Sequence, residues 1–318
     1  MSGSYRHLFG PVRSRRLGLS LGLDLVPAKV CSFDCPYCQV GATTRKTLER
    51  QEYVPLGEVL AEFDNWLAAG GRADCVTLAG AGEPTLHSRF GEVLTGVAKR
   101  CRIKRVLLSN GTLFTLPAVR AAAAAADIVK GTLSAWDEAS FRAVHHPHAS
   151  LVFAEFVEGL GAMRRAFGGE YWLEVFVVPG INDSDAQMRR VADLARTIGP
   201  DHIHLNTAVR PSADASVQAV PYARLAELAA LFSPVAEVAA SGRPADGAAG
   251  GHVVGDLAER LCAMAGRHPA TADEMAAALG AEVQAVSGLL SQLVADGRLK
   301  SEQRGGAVFY SAATPTAD

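Results

Sequence analysis

The stretch Cys31-Ser32-Phe33-Asp34-Cys35-Pro36-Tyr37-Cys38 places three thiols within eight residues, directly after a strand-like apolar run from Leu21 to Val26. Thiolates set this closely are suited to one shared metal centre. A structural zinc closes its tetrahedron with a fourth protein ligand, and the sequence contains no second CxxC or HxxxH pair. An iron-sulfur cube takes four thiolates. Three leave one iron open, and an open metal position is where a substrate or cofactor binds. Two other readings compete. Cys35-Pro36-Tyr37-Cys38 alone is a dithiol of the thioredoxin-like kind, a fold complete in about 100 residues that gives Cys31 no task. Three inert buried cysteines are the other, and their clustering at a loop start speaks against it.

With an aromatic residue just before its last cysteine, the motif resembles the signature of the radical S-adenosylmethionine (radical SAM) superfamily. The resemblance implies that Cys31, Cys35 and Cys38 hold a 4Fe-4S cluster. Its open iron would chelate the amino and carboxylate groups of SAM's methionine moiety. The reduced cluster would pass one electron to the sulfonium, and a deoxyadenosyl radical would abstract hydrogen from a substrate. One strand downstream of the triplet, Gly80-Ala81-Gly82-Glu83-Pro84-Thr85 resembles the superfamily's Gly-Gly-Glu region, here with alanine before Gly82. Gly82 and Glu83 are thereby implied SAM binders, with Tyr37, Asn110 of the Asn110-Gly111-Thr112 turn, and Ser134. Ile181 and Asn206 are expected on the adenosine side. The implied electron donor is a flavodoxin or ferredoxin.

The substrate side is less defined. Arg13 and Arg16, among the turn residues Gly10 to Gly18, can fork a phosphate or carboxylate, or belong to a solvated arm. With Gly22 to Lys29 and the cysteines, this stretch resembles a branch of the superfamily akin to the tRNA wyosine synthases. Those synthases carry a second cluster on cysteines upstream of the triplet, and here no cysteine precedes Cys31. His146 and His148 occupy a place that reads Arg-Pro-His in relatives, and Arg210-Pro211 is another family-like element. Arg13, Arg16, His146, His148 and Arg210 are expected near substrate, whether tRNA, small molecule or protein.

Amphipathic helices alternating with short strands must position these groups. Strands are predicted over residues 21–26, 74–79, 106–109, 127–134, 171–178 and 202–207, giving six βα-type units before residue 240. Such alternation makes a parallel sheet, and six units fit the partial (β/α)6 barrel of radical SAM domains. Every motif falls at the C-terminal end of its strand, where such barrels place their sites. Asn182 or Asp183 is expected to cap the helix running to Ile198.

The domain expectation is therefore a barrel over 1–240, a flexible Gly/Ala linker over 241–251, and a small domain over 252–318. Three helices followed by a hairpin across Gly305-Gly306 resemble a winged helix-turn-helix. This module holds five basic against eight acidic residues, whereas DNA readers bring phosphate-neutralising cations. A DNA-binding, cluster-sensing regulator is thus weighed against a protein-binding or substrate-covering role, and the module's acidity argues against DNA.

Composition narrows the class. The chain has 318 residues, 49% hydrophobic, with a net charge of −2, so no bulk field draws it to nucleic acid or membrane. Six cysteines fit no secreted disulfide framework, and Cys75, Cys101 and Cys262 read as scattered core residues. No signal peptide or membrane span is expected, which makes the cytoplasm the expected compartment.

Overall fold

In a computed structural model, residues 5–14, 16–238, 257–267 and 269–313 are described; the linker expected over 241–251 lies outside the described residues. Eight strands form one sheet in the order Leu8–Ser14, Gly18–Leu23, Cys75–Leu78, Lys104–Leu108, Ile128–Thr132, Glu170–Phe176, His202–Asn206, Glu237–Val238. From Gly18–Leu23 onward all neighbours are parallel. The six strands predicted from sequence are all present, joined by helices, as parallel neighbours require.

The strands alternate faces, as their pleat dictates. Val76, Leu107, Val129, Leu173 and Ile203 join the large core formed with helix residues such as Phe63, Leu94, Phe156 and Val191. Cys75, Val106, Ile128 and Trp172 form a separate cluster on the inner face.

The segment Gly10 to Gly18 is not an arm. Leu8–Ser14 pairs antiparallel with Gly18–Leu23 and forms the sheet edge, with a register shift between Phe9 and Val12. Pro11 lies in that shift, and an edge strand or bulge is where a residue without an N–H is tolerated. Gly22 is required here, because a Cβ on it would fall 1.9 Å from the Phe9 ring.

After the undescribed segment come helices Leu257–Ala265, Ala272–Leu279 and Val283–Ala295, then an antiparallel hairpin of Leu299–Arg304 with Ala307–Ala312. Thr271 and Glu274 close a capping box on the second helix. Gly305 and Gly306 both take positive φ in the hairpin turn, as a two-residue connection of this hand requires. Leu261, Met275, Val286 and Leu290 centre this module's own core, against which Val12 of the edge strand packs.

Polar contacts fasten the module to both ends of the sheet. Arg267 forms an ion pair with Asp24, just after the second strand. Arg210 pairs with Glu274 at 2.6 Å, and Arg304 donates to the Val217 carbonyl. The boundary is therefore crossed by more than a linker. Asp24 is only 9% exposed, so Arg267→Ala leaves a buried carboxylate without its countercharge. Urea denaturation is expected to show a loss of about 3–5 kcal/mol; an unchanged midpoint would contradict this role for the pair.

Candidate functional site

The cysteine loop leaves the second strand through Asp24 to Ala28 and turns at Lys29, whose φ is 59°. Val30–Cys31 then pairs with Arg45–Lys46, closing the loop on itself. Thr43 N donates to Asp34 Oδ1 at 2.7 Å, and Thr43 Oγ1 to the Phe33 carbonyl at 2.7 Å. Distant segments clamp the loop. Ala213 N donates to the Cys38 carbonyl and Asp214 N to that of Pro36, while His148 N donates to that of Ser32.

Cys31, Cys35 and Cys38 are free and partly exposed. Burial and then the Glu83 charge push the Cys31 thiol up to about 12. Burial and the neighbouring Cys38 push Cys35 well above its usual range. Lys29 Nζ donates to Cys38 Sγ at 3.0 Å. Asn110 Nδ2 lies 3.5 Å from Cys31 Sγ, and His145 Nδ1 3.5 Å from Cys35 Sγ.

Among the described residues no group of three His, Cys, Asp or Glu side chains could hold a single metal ion. The thiols nonetheless lie near enough to feel one another's charge. Soft sulfur donors select iron-sulfur clusters. A buried ammonium on a thiol, not on a carboxylate, is the partner of a thiolate. These residues fit a 4Fe-4S cluster.

The Gly80 to Glu83 turn faces the loop from the third strand. Lys29 N donates to the Ala81 carbonyl and Glu83 N to the Val30 carbonyl, so the turn runs alongside residues 29–30. Gly82 must lack a Cβ, which would sit 2.2 Å from the Val30 carbonyl oxygen. Alanine is accommodated at 81, where its N–H meets Asp24 Oδ1 at 3.0 Å. Glu83 is 2% exposed. Its Oε1 accepts from Thr85 N, Thr85 Oγ1 and Ser109 Oγ, and its Oε2 from Asn110 N at 2.7 Å. Burial raises its carboxyl, and these donors oppose that rise. Asn110 bridges to Ser32 Oγ at 2.8 Å and caps its own turn through Thr112.

The other expected residues divide. Tyr37 stacks on Phe176 and meets His145 Nδ1 through its hydroxyl at 2.9 Å. Ile181 packs in the same apolar group. Ser134 is fully buried; its Oγ accepts from Phe176 N, and its carbonyl from Asn182 Nδ2. Asn182 staples strand ends, while Ser184 caps the following helix with Gln187; this corrects the expected cap. Asn206 donates to Glu174 Oε1 at 3.1 Å, and Glu174 pairs with Lys130 at 2.9 Å. Arg16 lies close enough to help hold the Glu174 carboxyl down, after Lys130.

The substrate-side expectations fare differently. Arg13 is on the edge strand, with its side chain outside the described residues. Arg210 is turned to the C-terminal module, donating to Glu274 and the Pro269 carbonyl. His146 is an exposed left-handed helix cap, and His148 Nδ1 accepts from Ser150 N. The histidine at the thiols is His145, stacked on Phe33, with burial lowering it to about 3. Its place after Phe141 and Val144 on the buried helix face was the available signal. Lys29 gave none, because a positive φ at lysine is invisible in sequence. Lys130 and Glu174 were passed over as ordinary strand residues.

A family model described as the radical SAM superfamily matches residues 25–192, more than half of the chain. The chain belongs to the radical SAM superfamily. Members of it bind a 4Fe-4S cluster and SAM. The matched stretch contains the three cysteines, Glu83, Asn110 and Ser134 and excludes the C-terminal module. A relative named GTPase Obg, from Brachyspira hyodysenteriae, is 30% identical over 306 residues, 96% of this chain and 45% of that protein. The chain thus spans less than half of that relative, and it contains no Gly-x4-Gly-Lys-Ser/Thr phosphate loop. The UPF0026 protein of Helicobacter pylori strain J99 is 34% identical over 209 residues, 64% of this chain and 67% of that protein. A radical SAM methyltransferase from Sphaerobacter thermophilus shares the fold, with a TM-score of 0.51 at 18% identity, over 69% of this chain and 65% of that one. Among the described residues no single helix is long and apolar enough to cross a membrane.

Proposed function

We propose that this chain is a radical SAM enzyme that holds one cluster on Cys31, Cys35 and Cys38, with SAM beside it and substrate in the inner crevice of the sheet. The observation that carries the reading is the meeting of three free thiols with the Glu83 and Asn110 turns at the C-terminal ends of parallel strands. When bound, the cluster and SAM supply a carbon radical able to abstract hydrogen.

The chain's own residues do the rest. Glu83 Oε2 accepts from Asn110 N and keeps a lone pair for the ammonium of methionine, a charge-assisted contact. Gly82 brings backbone to the loop without a side chain in the way. Tyr37, Phe176, Phe33 and His145 make an aromatic wall that excludes water. Further down the inner face, Lys130, Glu174 and Asn206 form a polar layer on the central strands. The Lys130 and Glu174 side chains keep 17% and 20% exposure, which an open crevice explains. A low-potential flavodoxin or ferredoxin is the electron donor.

The C-terminal module has the element order of a winged helix. Its acidic charge and its seat across both ends of the sheet favour covering the crevice over reading DNA.

Anaerobic reconstitution tests the reading. About four irons per chain are expected from one cube, and a stoichiometric single zinc would overturn it.

A further inference from the structure

We propose that Lys29 tunes the reduction potential of the cluster, its ammonium stabilising the reduced, more negative state through Cys38. The proposal rests on the radical SAM reading above, and Lys29 is a positioning residue within it.

Three observations converge on this lysine. Its Nζ lies 3.0 Å from Cys38 Sγ, whereas the donors at Cys31, Asn110 Nδ2 and Phe33 N, are neutral and 3.5 Å away. One lysine thus sets a charged donor directly on one of the three ligands.

The second observation is burial. Lys29 is 7% exposed, and no carboxylate is found in salt-bridge contact with it among the described residues. Burying an ammonium is costly without a compensating charge. A neutral thiol does not compensate it, but a metal-bound thiolate does.

The third is backbone strain. A left-handed φ at a residue with a side chain is strained and persists where surrounding structure imposes it. Here Lys29 N donates to the Ala81 carbonyl, and the Lys29 carbonyl accepts from Thr44 N and Arg45 N. The same bonds tie it to the Gly82-Glu83 turn and to the far end of the cysteine loop. The strained turn aims the side chain at Cys38.

The electron balance is simple. A low-potential one-electron donor is oxidised by one electron and the cluster is reduced by one; no bond forms at Lys29 and no proton moves. The ammonium offsets the added negative charge in a low-dielectric site, where such an interaction is strong.

The test is an anaerobic redox titration followed by electron paramagnetic resonance, on the full chain reconstituted as wild type, Lys29→Gln, Lys29→Met and Lys29→Arg, with iron counted in each. At fixed ambient potential the ratio of reduced to oxidised cluster is expected to fall at least tenfold in the neutral variants, a downward midpoint shift of about 59 mV for one electron. Lys29→Arg keeps the charge and is expected to restore most of the shift. A neutral variant with full iron that titrates with the wild type overturns the proposal. Neutral variants that hold no iron while Lys29→Arg does would replace it with a role in cluster assembly. A wild type without any cluster would instead fail the radical SAM reading itself, so the two failures are distinguishable.

Discussion

Glu83→Leu is expected to remove several kcal/mol of folding stability, a large share of what a domain has. Two backbone N–H groups, of Thr85 and Asn110, and two hydroxyls, of Thr85 and Ser109, donate to this carboxylate. The hydroxyls can turn to other acceptors, whereas the amides are fixed. Leaving a buried donor unpaired costs about 1–3 kcal/mol, so the two amides alone account for about 2–6 kcal/mol, against a total of about 5–15. Glu83→Gln keeps one carbonyl oxygen and is expected to lose roughly half as much. In the cluster-loaded protein it is also expected to bind SAM more weakly, because a neutral amide replaces the charged acceptor. Urea denaturation and calorimetry read the two effects separately. A Glu83→Leu protein as stable as wild type would show that the carboxylate does not tie these turns together. Unchanged SAM affinity in Glu83→Gln would remove it from the cofactor contacts.

The parallel sheet was legible because each of its six main strands is an apolar run closed by a turn, and a βα alternation admits few arrangements. The edge strand Leu8–Ser14 was not. Its alternation is interrupted by Gly10 and Pro11 and diluted by arginine, and its pairing is antiparallel, which the βα rhythm does not announce. The cysteines were legible from spacing, and Gly82 from the resemblance of its turn to the Gly-Gly-Glu region. Lys29, His145 and the Lys130–Glu174 pair escaped because their significance lies in what they face. Two of them are contacts between segments about 44 or more positions apart, and local pattern carries no information about such partners. Arg210 shows the converse. Its Arg-Pro context resembled a site element, yet its guanidinium is taken by Glu274, whose own position served to cap a helix.

Replacing any one of Cys31, Cys35 or Cys38 with Ala is expected to bring iron from about four per chain to near zero, since a cube held by two thiolates lacks half of the usual four ligands. Cys75→Ala, Cys101→Ala and Cys262→Ala are expected to keep full iron. Cys75 is a buried residue of the inner-face cluster, Cys101 follows the last turn of a helix, and Cys262 packs against the C-terminal module's core. The most direct measurement is the formation of 5′-deoxyadenosine by the reconstituted full chain, given SAM and excess dithionite without added substrate, beside Cys38→Ala at equal concentration. Deoxyadenosine accumulating with wild type and absent with Cys38→Ala is the predicted result. A fully loaded, reduced wild-type cluster that leaves SAM intact would contradict the account.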